Sequence, residues 1–315
     1  MKRFKFSLLA LLLLSITVHA NDSTGYVGVG GVWYIKNPNI AMKSEDLYIS
    51  KDIIKVAYEF KNLTNKDIRQ TVLFPLPKMS IQHDGDFADT EETLNSFKVW
   101  ANGKAITPKM HVRAFLYKGH DEQSELDVTD AFRQCGFSDK EILSAYHHVN
   151  YDESLPNIYA KIRACKHPTL YRLITEQDTH WKSQAIYEWT QTFKANTVTR
   201  INHSYRPMVG GGVFFDESLD SNFCLDKATR QNLDKKAGTH PLSYSALGYL
   251  LTTGANWAKP IERFKLTVER DSNEIMSFCW AGRGKVKKVG QGKFEVIENN
   301  FVPKQDIDVA FIRVK

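Results

Sequence analysis

Apolar and polar positions alternate with a period of two along much of this chain of 315 residues, which is the mark of strands with one buried face. Ile54, Val56, Tyr58 and Phe60 alternate with Lys55 and Glu59, and Phe264, Leu266 and Val268 alternate with Arg263, Lys265, Thr267 and Glu269. Further strands are predicted over 42–50, 68–77, 186–193, 198–205, 247–251, 275–280, 293–297 and 307–314. The glycine-containing run 25–35 reads as a strand or bend. Asn102-Gly103 between Val99 and Ile106 predicts a tight hairpin. The short polar segments 62–67 and 194–197 predict two more antiparallel pairs, 53–60 with 68–77 and 186–193 with 198–205.

The pattern changes between 121 and 180. Thr129 can cap a short helix that runs through Arg133 and ends at Gly136, and Ser138-Asp-Lys-Glu141 is a capping box leading into 142–148. Pro156 suits the first turn of a third helix, in which Ile158, Ile162 and Cys165 share a face. Farther on, Gly210-Gly-Gly212 predicts a flexible corner and 226–236 a polar helix. The expected organisation is a signal peptide over 1–20, an N-terminal β domain over 21–120, a helical insert over 121–180 and a C-terminal β domain over 181–315. The fold class is mainly β, with two antiparallel β-sandwich-like domains and a small α-helical insert between them.

The first residues change how the rest is read. Lys2, Arg3 and Lys5 precede a short apolar run, Phe6 to Val18, and small Ala20 suits cleavage, so a secretory signal is expected, with a mature chain from about Asn21. The run is shorter than the roughly 20 apolar residues of a membrane span, so the mature chain is expected to carry no transmembrane segment. No Cys follows the cleavage site to take a lipid. Formal charge is +6, and loss of the three signal cations leaves +3, a balance that argues against nucleic acid as a partner. Export places Cys135, Cys165, Cys224 and Cys279 in an oxidising compartment, periplasmic or secreted. Of the three pairings four cysteines allow, order along the chain favours Cys135 with Cys165 and Cys224 with Cys279.

Candidate chemistry is thin. Cys135, His147, His148, Cys165 and His167 are zinc-ligand types, but they form no CxxC or HxxxH pair, and a disulfide with surface histidines is the better account. Asp84, Asp86, Asp89, Glu91 and Glu92 do not match the spacing of an EF-hand and read as a solvated acidic loop. The glycines of 25–35 and 210–212 lack the phosphate-loop pattern. His203 and Tyr205 are neighbours on one strand face, not an acid/base pair. No GxSxG or HExxH occurs. No catalytic residue, cofactor-binding residue or metal ligand is assigned, and no cofactor is expected. The arm over 282–293 is basic enough to meet an anionic head group or polymer, although lysine-rich hairpins are more often solubilising.

The segment 244–269 holds two strand patterns around Thr252-Thr-Gly-Ala-Asn-Trp-Ala-Lys-Pro260. Gly254 and Pro260 prevent a continuous strand, and Trp257 is expected to plug the bend. Thr252, Thr253, Gly254, Asn256 and Trp257 form the candidate binding loop.

Several motifs together resemble those of a family of exported bacterial proteins, DUF4424. They are Ser44-Glu-Asp-Leu-Tyr-Ile-Ser50, Val72-Leu-Phe-Pro-Leu-Pro77, Trp189 to Phe193 with His203-Ser-Tyr-Arg-Pro207, and above all Leu250-Leu-Thr-Thr-Gly-Ala-Asn-Trp-Ala-Lys-Pro-Ile261. Ser277-Phe-Cys279, Phe301-Val-Pro303 and Asp306-Ile-Asp308 complete the set. The resemblance implies export and an undetermined function, and it brings no catalytic residues. Cys224 and Cys279 fall within family-like motifs, whereas Cys135 and Cys165 look particular to this chain.

The expected function is that of a non-catalytic envelope binding or interaction module, whose partner is an envelope protein or a surface polymer. The alternative is an envelope hydrolase with a site at the domain junction, which needs two carboxylates or a nucleophile and His brought together there.

Overall fold

The computed structural model describes residues 23–28, 31–80, 90–118, 121–144, 151–177, 179–214, 218–237 and 242–314. The signal segment, His147 and His148, and Asp84, Asp86 and Asp89 of the acidic loop lie outside the described residues. In chain order the first strands are β1 (Ser23–Gly28), β2 (Gly31–Ile35), β3 (Ile40–Ile49), β4 (Ile54–Asn62), β5 (Ile68–Pro75) and β6 (Met79–Ser80). Helix α1 (Thr90–Ser96) leads to β7 (Lys98–Ala101), β8 (Lys104–Ile106), β9 (Lys109–Lys118) and β10 (Asp121–Asp127). Helices α2 (Thr129–Gln134), α3 (Asp139–Ile142), α4 (Tyr151–Cys165) and α5 (Pro168–Thr175) follow. Next come β11 (Thr179–Phe193), β12 (Val198–Tyr205), β13 (Gly210–Phe214), α6 (Ser218–Asn222), α7 (Lys227–Ala237) and β14 (Leu242–Tyr249). The chain closes with β15 (Ile261–Glu269), β16 (Glu274–Phe278), β17 (Lys287–Gly290), β18 (Lys293–Phe301) and β19 (Ile307–Arg313).

The molecule is mainly β, as the alternation predicts, and its described strands form three sheets. One has the order β10-β9-β11-β5-β1-β2 with β6 paired to β11; the second runs β17-β18-β15-β3-β4-β12-β7-β8; the third runs β13-β14-β19-β16. The alternating apolar positions Ile54, Val56, Tyr58 and Phe60 of β4 and Phe264, Leu266 and Val268 of β15 are buried, while Lys55 and Arg263 face solvent. Asn102 and Gly103 both take positive φ, 48° and 77°, and close β7 onto β8 with Val99 opposite Ile106. That is the primed turn which Asn-Gly favours.

Strand partners differ from the expectation in two places. β4 and β5, like β11 and β12, are consecutive but lie in different sheets. The polar segments between them are therefore corners, not hairpin turns, and the corners meet. Asn62 is fully buried there and uses its whole amide: Nδ2 donates to Lys66 O at 2.8 Å and Phe193 O at 2.9 Å, and Oδ1 accepts from Thr64 N and Thr64 Oγ1 at 2.9 Å each. Phe60 and Phe193, at the ends of β4 and β11, pack edge to face beneath the corner.

Sheet pairing also crosses the boundaries 21–120, 121–180 and 181–315. β3 pairs with β15 in parallel, placing Leu47 beside Leu266 and Ile49 beside Val268, and β5 pairs with β11. All other pairings described are antiparallel. The reason is that alternation specifies which face of a strand is buried and leaves its neighbour open.

The helical stretch sits against β9 and β11, with Phe132 and Trp181 rings 5.6 Å apart. Ser138 and Glu141 form the predicted capping box, and Gly136 at φ 74° ends the preceding turn. Four details are corrected. Val128 holds the cap position of α2, while Thr129 bonds Asp127 and Ala114 instead. Pro156 lies inside α4, which starts at Tyr151. Residues 121–127, assigned to the insert, form β10. Glu91 and Glu92, assigned to the acidic loop, lie in the first turn of α1, where carboxylates favour the helix dipole.

Both disulfides are present, Cys135–Cys165 and Cys224–Cys279, with Cα atoms 5.4 and 5.0 Å apart. The first ties the end of α2 to the end of α4, and so removes both sulfurs from the Cys/His constellation. The second encloses 224–279, including all of β14 and β15.

Candidate functional site

The bend after β14 is built from the inside. A 3-10 turn, Thr252–Asn256, turns Thr253 and Gly254 into the core. Trp257 is 2% exposed, and its ring lies 4.4 Å from that of Phe60. It is a plug, as expected. The bend is tied down by two backbone bonds, Asn37 N to Asn256 O and Ala258 N to Ile40 O. Its start is held by Asp306, whose Oδ1 accepts from Leu251 N at 2.9 Å, Thr252 N at 3.0 Å and Thr252 Oγ1 at 2.9 Å. None of Thr252, Thr253, Gly254, Asn256 and Trp257 lines the main cavity, whose lining on this segment stops two residues earlier, at Leu250.

That cavity is an open groove of about 820 Å³. Alternation along β14 explains its floor. Leu247 and Tyr249 point into the main core, whereas Leu242, Tyr244, Ala246 and Gly248 take the opposite face. Leu242 joins Leu233, Ile312 and Val314 in a small second core. Tyr244 packs at the edge of that core, and with Ala246 and Gly248 it lines the groove, which Leu247 and Tyr249 also border. The walls come from Pro77 to Met79, from Tyr205, Pro207 and Met208, and from Asp306 and Asp308.

Glycines let neighbouring chains approach closely here. Gly210-Gly-Gly212, expected as a flexible corner, is instead the start of β13, paired with β14. Tyr244 stands opposite Gly212, and a Cβ at Gly212 would touch its ring at 3.4 Å; one at Gly211 would meet Tyr244 O at 2.7 Å. At Gly211 only a hydrogen side chain lets β13 lie this close to the β14 backbone.

The polar groups are unevenly committed. Lys78 donates to Glu125 at 2.5 and 2.6 Å. Asp306 serves the bend. Asp308 makes no ion pair among the described residues. Solvent reaches Asp308 from the groove, but the sheet beneath its carboxylate withdraws water from one side, and Asp306 adds like charge. Both effects, burial first, hold it above the usual carboxylate range. Burial likewise pushes the Tyr205 phenol well up. Under the floor, Tyr249 Oη lies 3.2 Å from Tyr58 Oη and 3.5 Å from Oε1 of fully buried Glu45. His203 is buried against Phe74, ring centroids 4.7 Å apart, with Tyr205 on the same face. Among the described residues no group of three or more His, Cys, Asp or Glu is placed to hold a metal ion.

Sequence reasoning missed Tyr244, Ala246, Gly248, Asp306 and Asp308 as groove residues. The available signal was Asp306-Ile-Asp308, two acids flanking an inward Ile307 at the start of β19.

The family described as Domain of unknown function (DUF4424) matches residues 20–310. Among curated proteins no match is found. A crystal structure from Legionella pneumophila, of a protein proposed to bind nutrients, is similar over 93% of this chain and 70% of its own, with 14% identity and a TM-score of 0.45. A two-domain M1 zinc metallopeptidase bound to L-tryptophan aligns over 88% of this chain and 44% of its own, at 8% identity and a TM-score of 0.28. Yeast LTA4 hydrolase aligns over 88% and 29%, at 10% identity and a TM-score of 0.24.

Proposed function

The chain belongs to the DUF4424 family, and from that premise we propose that it is an exported, non-catalytic binding module of the bacterial envelope. Its partner, a protein or a surface polymer, occupies the groove over Tyr244, Ala246 and Gly248. The observation that carries this reading is the groove itself. It is within the size range of ligand sites, is lined mostly by apolar and aromatic side chains, and carries two carboxylates, Asp306 bonded to the bend and Asp308 without an ion-pair partner among the described residues. The bend 252–257 contributes indirectly, by fixing Asp306 at the groove wall. Two disulfides support an oxidising compartment and hence cleavage of a signal near Ala20. No helix among the described residues is long and apolar enough to cross a membrane.

Hydrolysis fits this geometry less well. Paired catalytic carboxylates flank the bond they cleave, whereas Asp306, just before β19, and Asp308, within it, are two residues apart in sequence and share one wall. Asp306 also spends an oxygen on three donors.

Site-specific cross-linking tests the reading. A photoreactive phenylalanine analogue at Ala246 should give a discrete adduct with envelope material, and the same analogue at exposed Lys98 should not. Adducts of equal yield at both positions, or none at Ala246, would refute it.

A further inference from the structure

The arm between Trp280 and β18 is the most concentrated cationic surface of the described chain. From Ala281 to Phe294 there is no acid, while Arg283, Lys285, Lys287 and Lys288 fall within six positions. Lys285, Lys287 and Lys288 are exposed and form no ion pair among the described residues. β17 is the outermost strand of its sheet.

The arm has a defined root. Glu298, only 7% exposed, accepts from Gly284 N at 2.6 Å and faces Arg283 Nε at 3.4 Å. Gly282 passes so close to Trp280, and Gly284 to the Ile297 carbonyl, that a Cβ at either would clash, at 2.4 and 2.6 Å. At the far end Gly292 takes φ 70° and its carbonyl accepts from Arg270 N at 2.9 Å. The arm is therefore anchored at both ends.

Lysines on an edge strand protect it from unwanted pairing, but that role does not call for exposed aliphatic groups among them. Val286 is 41% exposed and Val289 53%, and they bracket Lys287 and Lys288. Basic groups interleaved with aliphatic ones match a lipid surface, which offers phosphates and an apolar boundary side by side. A purely polar polyanion would leave the valines unused.

We propose that the 283–290 arm docks the protein on an anionic lipid surface, with its lysines at head-group phosphates and Val286 and Val289 at the acyl boundary. The proposal is independent of the groove.

The test is co-sedimentation of the purified full-length mature protein with vesicles of phosphatidylcholine plus phosphatidylglycerol, and with phosphatidylcholine alone. Binding to the mixed vesicles only, weakening as salt screens the charges, is expected. Removing a lysine charge near such a surface costs about fivefold in partitioning, so K287Q/K288Q should weaken binding roughly 25-fold. V286S/V289S should weaken binding several-fold at unchanged charge. All four residues are exposed, so both variants should keep the parent melting temperature, which is measured alongside. Equal binding to both vesicle types, or to neither, would overturn the proposal. So would retention by K287Q/K288Q. If V286S/V289S bound like the parent, and soluble polyphosphate competed fully, the arm would be a polyanion site and the lipid assignment would be wrong.

Discussion

Asp308 stands directly across the strand pair from Gly248, and its Oδ1 would lie 2.9 Å from a Cβ on that residue. The carboxylate rests in space that only glycine leaves open, and this contact withdraws it from water. Gly248→Ala should push the carboxylate outward, and a flexible side chain can yield. The stability change should stay within about 1 kcal/mol, because alanine also recovers some of the backbone entropy that glycine loses on folding. The Asp308 pKa should fall toward the ordinary carboxylate range, as read by carboxyl-carbon NMR titration. An unchanged titration would mean that the sheet under Gly248 is not what desolvates it.

Asp308 also sets a direction for stability against pH. Its folded pKa is raised, so between the unfolded and folded values the native state holds more protons than the unfolded chain. Its contribution to stability is fully present below the unfolded value and is lost as pH rises through the folded one. Asp308→Asn should therefore be more stable than the parent at neutral pH, by less than about 1 kcal/mol since solvent screens the group. The difference should vanish below the unfolded pKa. Thermal melts across that range check the sign.

Asp306 carries a structural load that Asp308 does not. Asp306→Ala strands Leu251 N and Thr252 N, and should cost about 1–3 kcal/mol in urea unfolding. Asp306→Asn keeps an oxygen acceptor and should cost less than half as much. Equal losses would show that charge, not the hydrogen bonds, holds the bend.

The buried corner at Asn62 is expected to be more sensitive. Asn62→Ala leaves Phe193 O, Lys66 O and Thr64 N unpaired or newly dependent on water, for about 3 kcal/mol. Asn62→Asp retains the acceptor and loses both donors, so it should not rescue the loss. Chemical denaturation of both variants decides.

These residues also show what the sequence made legible. The strand faces of β4 and β15 could be read, because alternation reports burial directly. So could the Asn102-Gly103 hairpin, the capping box at Ser138 and the Trp257 plug, each of which depends on a few adjacent residues. Partnership was hidden. The segment 62–67 looks the same whether it closes a hairpin or turns a corner between sheets, and only the fourfold use of Asn62 separates the two. The groove was hidden for the same reason: Gly210-Gly-Gly212 and Gly248 read as loose backbone until Tyr244 and Asp308 are placed against them. The bend 252–257, prominent in sequence, owes its composition to the core it fills.

The groove is the central claim, and its floor residue Ala246 gives the most direct measurement. Ala246→Trp places a large ring in the groove. The parent and this variant, matched by circular dichroism and melting temperature, are immobilised and exposed to the same bacterial envelope extract. The account predicts that the parent retains a discrete protein or polymer, identified by mass spectrometry, which the groove-filled variant fails to hold. Equal retention by the two, or none by the parent, would contradict it.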